Sequence, residues 1–381
     1  MTIKVVYDFD KGLKYAISPD YNYRFNMNTG EFIRWGKTFE DDPKVGPLEI
    51  FDLEVSTECH GVGDVGPCKH CYKSNTPRGE NMSFDTFKGI FDKLPRTLTQ
   101  IAFGIGDIWA NEDLLKMFKY CRENMHNPGV VPNITINGAG LTDEWVDNIS
   151  TYCGGVAISL YEPKDICYDA VKKLTDVGMN QVNIHVVVSH ESFDRCKMLI
   201  EDAASDPRLA KMKAIMFLTL KPKGKRNHWN IIKDVKKYRE LIDLAMSKGV
   251  QFGFDSCTAP IFLAAMKDHT RFEEFSSLSE SCESTRFSGY ANVKGEWWHC
   301  SFTEDEEGWK GVSIPDAENF ERDVWNHPEV KRFREKLTCQ NNNHIAPEVY
   351  LCPVFELYGN EIGNCGKSCG QHHKIINLIQ V

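Results

Sequence analysis

The sequence predicts an α/β fold with three parts. A core of alternating strands and helices follows a small N-terminal β unit and precedes a loop-rich C-terminal segment. Apolar strand patterns recur from residue 48 to residue 256, and amphipathic stretches separate them. The composition is globular, with 41% apolar and 26% charged residues over 381 positions. Strand–helix units spaced by ~25–40 residues predict a parallel sheet with right-handed crossovers. This spacing fits a full or partial barrel and also an open, doubly wound sheet.

Residues 1–47 predict a separate β unit. Alternating polar and apolar residues occur at VVYDF, KYAIS and YRFNMNTGEFIRWG, and Asn28, Thr29 and Gly30 are typical of a hairpin turn. We expect these short strands to pair with one another, ahead of the main sheet.

Residues 48–256 carry the repeating pattern. Expected strands lie at 48–56, 100–106, 133–138, 155–161, 181–189, 213–221 and 250–256. Expected helices begin at Ser83 and lie near 110–125, 142–152, 165–177, 192–204 and 229–248, with Gly178 and Gly249 as C-terminal caps. In both barrels and open sheets of this type, functional side chains gather at the carboxyl ends of the strands.

Residues 257–381 break this rhythm and form the third expected unit. The segment is rich in loops and holds half of the chain's 14 cysteines. Val324–Leu337 is its one substantial expected helix.

Charge and hydropathy exclude several classes of protein. The formal net charge of −9 disfavours a broad nucleic-acid-binding face, but it does not exclude nucleic-acid binding in a local basic groove. The basic run Lys221–Arg226 is expected to be a solvated loop, with a nucleic-acid contact as the alternative. No apolar run reaches the ~18 residues of a membrane span, and the N-terminus lacks a secretory apolar region. We expect a cytoplasmic protein whose cysteines are metal ligands or core residues rather than disulfides.

Three cysteines cluster directly after the first strand of the repeat. Cys59, Cys68 and Cys71 have the spacing C-x8-C-x2-C in a glycine-rich loop. Three thiolates can hold three corners of an iron–sulfur cube and leave one iron open. A structural zinc site with His60 or His70 as fourth ligand is the alternative. The position at the carboxyl end of a core strand favours a functional site.

At this point the chain resembles the radical S-adenosylmethionine (SAM) superfamily, where a C-x3-C-x2-C loop follows the first strand. Here the first gap is expanded to eight residues, and His70 stands where the family usually has an aromatic residue. The resemblance implies a partial (β/α)6 TIM-like barrel, a [4Fe–4S] cluster on the three cysteines, and bound SAM. It also implies SAM contacts at positions that match the family's motifs, which are Gly104, Gly106 and Asp107 (for Gly-Gly-Glu), Asn137, Ser159 and Asn183.

The later cysteines resemble the SPASM and twitch domains, which carry auxiliary iron–sulfur clusters. Cys282, Gly295 and Cys300 form C-x12-G-x4-C, and Cys365 and Cys369 match the C-x3-C at the end of the SPASM pattern. One cysteine expected after Cys352 is absent. The resemblance implies one auxiliary cluster on Cys257, Cys282, Cys300 and one of the later cysteines. A second would need Cys339, Cys352, Cys365, Cys369 or another ligand such as His344, and a zinc-stabilised loop domain remains the alternative.

The resemblance implies reductive cleavage of SAM to a 5′-deoxyadenosyl radical that abstracts hydrogen from a substrate carbon. The implied substrate is a peptide, protein or natural-product side chain, and the implied electron donor is a flavodoxin or ferredoxin. Residues 1–50 are too short and too rich in strand patterns for a winged-helix leader-binding module. An isomerase or oxidase reaction on a small amine, sugar or modified nucleotide is therefore the alternative. A non-catalytic zinc or iron–sulfur protein is the alternative from another class. Ser301 follows Cys300, where sulfatase-maturing relatives carry an acidic residue.

Overall fold

The computed structural model describes residues 3–341 apart from residues 222, 278, 280 and 281, and for residues 336 and 339–341 it describes the backbone alone. Cys352, Cys365, Cys369 and His344 therefore lie outside the described residues, and the Cys339 side chain does as well. No helix in the described ranges combines the length and apolarity needed to cross a lipid bilayer.

The N-terminal unit is an antiparallel sheet in chain order, as its alternating sequence predicts. Its turn between the third and fourth strands is closed by the Gly30 N–H, which donates to the Asn26 carbonyl at 2.8 Å. The buried face packs Tyr21, Tyr23 and Phe25 against Phe287 of the C-terminal segment. The strands are β1 (Lys4–Asp8), β2 (Leu13–Ile17), β3 (Asn22–Asn26) and β4 (Phe32–Trp35).

All seven predicted core strands are present, and they pair in parallel in chain order. They are β5 (Ile50–Glu54), β6 (Gln100–Gly104), β7 (Val131–Ile136), β8 (Val156–Ser159), β9 (Val182–Val188), β10 (Ala214–Thr219) and β11 (Phe252–Phe254). The intervening helices are α1 (Phe84–Phe91), α2 (Leu114–Glu123), α3 (Asp143–Tyr152), α4 (Lys164–Asp176), α5 (Phe193–Ala203) and α6 (Val235–Lys248).

Local sequence explains where several helices begin and end. Ser83 and Thr142 accept hydrogen bonds from the first turns of α1 and α3, as good N-caps do. Gly249 ends α6 with φ +67°, a conformation that favours glycine. The helix expected from residue 229 starts only at Val235, because Asp234 supplies its cap and residues 223–234 form a loop.

The C-terminal segment contains more regular structure than its sequence predicts. After α7 (Ala259–Met266) and α8 (Phe272–Ser277), the strand β12 (Ser288–Ala291) pairs in parallel with β5. Antiparallel β13 (Glu296–Trp298) and β14 (Val312–Ser313) then extend the same sheet. The helix expected at Val324–Leu337 is present with shifted bounds, since α9 spans Pro328–Asn341 after a π-helical turn at Glu321–Trp325. Proline suits the first position of a helix, and this explains the later start.

The sheet is curved into a partial barrel. The loop after β5 contacts the loop after β10, where the Arg226 guanidinium donates to the Asn75 carbonyl at 2.7 Å. In a flat sheet, five strand spacings would separate these loops by about 24 Å. The pairing order ends at β11 on one side and β14 on the other, so the described strands do not form a closed ring.

Candidate functional site

The loop after β5 is held at the carboxyl end of the barrel by its own backbone pairing. The Cys59 N–H donates to the Thr76 carbonyl at 2.9 Å, and the Thr57 N–H donates to the Glu80 carbonyl at 2.9 Å. We call residues 57–80 the cysteine loop. Gly61 has φ +87°, and a Cβ there would lie 1.9 Å from the Gly66 carbonyl oxygen, so only glycine lets the loop fold back on itself.

Cys68 and Cys71 of this loop are in contact, and Cys59 is close enough for Cys71 to act on its pKa, but the described side chains form no group of three that could hold a metal ion. The Cys68 thiol donates a hydrogen bond to the Cys71 sulfur, and this bond holds the pKa of Cys71 below its ordinary value. Backbone N–H groups of Asn75, Lys73 and Ser74 act in the same direction. Burial, followed by the Asp107 carboxylate, raises the pKa of Cys59 to about 11. The thiolate form of Cys71 is thus already favoured, and a bound metal cation would favour the thiolate forms of Cys59 and Cys68 as well.

The predicted Gly104, Gly106 and Asp107 lie at the end of β6, beside this loop. A Cβ at Gly106 would lie 2.5 Å from the Cys59 Cβ and 2.6 Å from the Glu58 carbonyl oxygen. Asp107 is 1% exposed and accepts from the His60 backbone N–H at 2.6 Å and from the Asn137 amide at 2.8 Å. Its Oδ2 also lies 3.0 Å from the His60 ring nitrogen. Asp107 therefore ties the cysteine loop to the end of β7.

Replacing Asp107 with alanine is expected to lower the free energy of unfolding by about 2 kcal/mol or more, because buried donors of His60 and Asn137 lose their acceptor. Denaturant unfolding of the metal-free protein measures this. Asp107→Asn is the matched variant: it keeps one acceptor oxygen and should cost less. Equal stability of Asp107→Ala and the unmodified protein would show that this anchor contributes nothing.

Ser159 ends β8 beside a small cavity of about 30 Å³, which is room for about one water molecule. His185 and Tyr161 line the same cavity, and the Tyr161 hydroxyl is hydrogen-bonded to Ser159. The His70 ring, from the cysteine loop, stacks on Trp229 with ring centroids 3.8 Å apart. Burial and, to a lesser extent, Arg195 lower the pKa of His70 to about 4, so its imidazole is neutral at pH 7.

A buried charged network joins the cysteine loop to the C-terminal segment. The Lys73 ammonium donates to Tyr290 at 2.7 Å, lies 3.2 Å from a Glu54 oxygen and also pairs with Glu304. Burial raises the pKa of Glu54 to about 6, although Lys73 opposes that shift. Tyr72 packs on Phe302 with ring centroids 4.6 Å apart. The segment after Cys300 is therefore docked directly on the cysteine loop.

Cys257, Cys282 and Cys300 are partly buried. Cys282 and Cys300 lie on either side of the antiparallel pair β12–β13, and near them the Ser284 hydroxyl donates to the His299 carbonyl. Cys257 follows Asp255, which pairs with Lys221 at 3.3 Å, and Lys221 in turn lies over the Phe302 ring. In the described part of the chain, no group of three or more Cys, His, Asp or Glu side chains is arranged so that it could hold a metal ion.

The basic run Lys221–Arg226 is not the solvated loop that its sequence predicts. Lys221 pairs with Asp255, Lys223 with Glu306 at 3.2 Å, and Arg226 with backbone carbonyls of the cysteine loop. These cations hold protein elements together, and this removes the observation that favoured a nucleic-acid contact.

Five residues near the site do not follow from the sequence patterns, namely Trp229, Asp52, Glu54, Lys73 and Glu304. A signal for the two acids of β5 is present: LEIFDLEVS places Asp52 and Glu54 on one face of a strand that otherwise has the apolar pattern of a buried element.

The donor set fits an iron–sulfur cluster better than a closed zinc site. The two histidines expected as a fourth zinc ligand form no metal-holding group with the thiols: His60 directs a ring nitrogen at Asp107, and His70 is stacked on Trp229. Among the described residues, neither histidine is therefore placed as a fourth ligand for the three thiols.

No protein-family model matches this sequence, and no curated protein does. Among solved structures, SuiB from Streptococcus suis matches with a TM-score of 0.64 at 11% identity, over 92% of this chain and 100% of SuiB. SuiB bound to SAM matches with a TM-score of 0.59 at 14% identity, over 80% and 72% of the two chains. Native anSMEcpe, bound to SAM and the Cp18Cys peptide, matches with 0.56 at 16% identity, over 77% and 86%. The partial-barrel fold implied by the radical SAM resemblance is thereby confirmed.

Proposed function

We propose that the chain is a radical SAM enzyme that cleaves SAM reductively and abstracts hydrogen from a substrate carbon. The observation that carries this proposal is the loop of Cys59, Cys68 and Cys71 at the carboxyl end of the first barrel strand, in a fold shared with SAM-bound SuiB and anSMEcpe. A [4Fe–4S] cluster on these thiols supplies, when bound, the one-electron reduction that breaks the sulfonium bond of SAM.

The chain's own residues would position SAM and exclude water. Asp107 and Asn137 hold the cysteine loop against the ends of β6 and β7. Gly104 and Gly106 are the proposed backbone contacts for SAM at the end of β6, and the missing side chain at Gly106 lets the cysteine loop pack closely there. Ser159 is the proposed polar contact for SAM at the end of β8. The His70–Trp229 stack covers the barrel mouth on that side.

We further propose one auxiliary cluster on Cys257, Cys282 and Cys300, completed by Cys352, Cys365 or Cys369. The docking of the Cys300 segment on the cysteine loop through the Lys73 network supports this, because it brings the two cysteine groups into one compact region. The proposed substrate is a peptide, in line with the peptide bound to anSMEcpe. The proposed electron donor is a flavodoxin or ferredoxin.

The test is formation of 5′-deoxyadenosine by anaerobically reconstituted protein given SAM and dithionite, with iron, sulfide and zinc measured on the same sample. We expect iron, acid-labile sulfide and 5′-deoxyadenosine that rises with time. Zinc without sulfide would establish the alternative of a non-catalytic metal protein. Iron and sulfide with no SAM cleavage would overturn the enzyme proposal.

A further inference from the structure

The inner face of the barrel sheet is open at its central strand. Asp52 lies in the middle of β5, which is paired on both sides, with β6 and with β12. Its neighbours Phe51 and Leu53 point to the outer face and are 0% and 1% exposed, whereas Asp52 is exposed. A central strand can expose one face only if that face borders accessible space. We call this space, bordered by Asp52, Asn183, His185 and Met216, the lumen.

The lumen is polar, unlike the interior of a closed TIM barrel, which layers of branched apolar side chains fill. Asn183 and His185 alternate along β9 with Val182, Ile184 and Val186, which are at most 1% exposed on the outer face. Asp52 and Asn183 therefore lie on the same face of one curved sheet, four strands apart.

Asp52 has no hydrogen-bond or ion-pair partner among the described residues. Although Asp52 borders the lumen, the protein around it keeps most bulk water away, and this desolvation raises its pKa to about 7. Repulsion from Glu283 adds to the rise. Glu283 has its own cation, since its Oε1 lies 3.3 Å from Arg34. The other acid of this strand face, Glu54, is already paired with Lys73. Asp52 thus remains the carboxylate whose charge nothing nearby compensates.

A second acceptor in the lumen also lacks a donor. Asn183 is 7% exposed, and its Oδ1 accepts no hydrogen bond. A buried amide oxygen without a donor destabilises the empty site, and a ligand with N–H groups would remove that cost. Burial lowers the pKa of His185 to about 4, so this ring adds no positive charge to the lumen at pH 7.

We propose that the lumen binds a positively charged amine, with Asp52 as its counter-ion and Asn183 as a hydrogen-bond acceptor. An ammonium group supplies the positive charge and the N–H donors that Asp52 and Asn183 lack in the lumen. Given the proposed function, this group belongs to the substrate, and it makes Asp52 a specificity-determining residue.

The test uses the full chain and three probes that share a butyl group, followed by ligand-observed NMR. n-Butylammonium has charge and N–H donors, n-butyltrimethylammonium has charge alone, and n-butanol is neutral. We expect the unmodified protein to bind n-butylammonium about tenfold more tightly than n-butanol, as one partly buried ion pair provides. Asp52→Asn should abolish that preference, and Asp147→Asn, an exposed acid on α3, should keep it.

Asn183→Ala tests the second contact, because it should remove the advantage of n-butylammonium over its trimethylated analogue. An equal affinity for n-butylammonium and n-butanol in the unmodified protein, or a preference that survives in Asp52→Asn, would overturn the proposal. Asp52→Asn should fold normally, since it replaces a carboxylate that burial disfavours with a neutral group of the same shape.

The two proposals can fail separately. Loss of the ammonium preference in Asp52→Asn, in a protein whose unmodified form cleaves SAM, supports both proposals, and Asp147→Asn is the variant expected to cleave SAM at the unmodified rate. A protein that cleaves SAM but shows no ammonium preference would contradict the lumen site alone. Asp52-dependent ammonium binding in a protein that never cleaves SAM would refute the proposed function and leave the lumen as a binding site.

Discussion

Replacing Cys59, Cys68 and Cys71 together with alanine is expected to remove about four iron atoms per chain and to abolish 5′-deoxyadenosine formation. The reason is that these thiols lie on one loop and share one proposed cluster, so no other side chain of the loop can replace them. The measurement is iron and acid-labile sulfide per chain after anaerobic reconstitution. The iron assigned to Cys257, Cys282 and Cys300 should remain.

The matched control removes the same number of thiols from elsewhere. Cys121, Cys167 and Cys196 are at most 1% exposed and pack in the core of the barrel. Their replacement by alanine should lower stability through small cavities but leave iron and sulfide unchanged. If the control loses as much iron as the Cys59, Cys68 and Cys71 variant, the assignment of the first cluster is wrong.

Gly106→Ala is expected to disable the site although it removes no ligand. The new methyl group would meet the Glu58 backbone oxygen and the Cys59 Cβ at distances that atoms do not tolerate. A side-chain rotation cannot relieve a contact with backbone, so the cysteine loop must shift away from β6. We expect a loss of about 1–3 kcal/mol of stability. Because Cys59 shifts with its loop, reconstituted iron and SAM cleavage should fall as well.

Gly89→Ala is the matched control for Gly106→Ala. Gly89 lies within α1, and a Cβ there would meet no atom within 4 Å. Alanine should stabilise the helix by about 0.5–1 kcal/mol, because it restricts the unfolded chain and favours the helical conformation. Normal iron content and SAM cleavage in Gly106→Ala would show that the cysteine loop tolerates displacement from β6.

The core strands were predictable to within a few residues because buried parallel strands carry nearly continuous apolar runs, as at β9 and β10. The cysteine loop was predictable from its spacing and its place after a strand. What the sequence did not predict depends on contacts between distant segments. Lys221 and Arg226 look like a solvated basic run until Asp255 and the carbonyls of the cysteine loop are brought beside them.

The same limit explains the residues that were missed in the site. The roles of Lys73 and Glu304 exist only because β12 lies beside β5, a pairing that joins residues more than 230 positions apart. Trp229 belonged to an expected helix, and only the cap at Asp234 releases it into the loop that reaches His70. Local sequence patterns determine the helices and strands, whereas contacts across the fold determine which polar side chains have ion-pair or hydrogen-bond partners.

The pairing of β12 with β5 has a consequence for biosynthesis. While a ribosome makes this chain, β5 emerges early, but the strand that covers its other edge is completed more than 230 residues later. At about 5–20 residues per second, that edge is without its partner for roughly 10–50 s. An uncovered strand edge is a template for wrong pairing between chains. The edge of β5 that later pairs with β12 is therefore open to wrong pairing until β12 is synthesised.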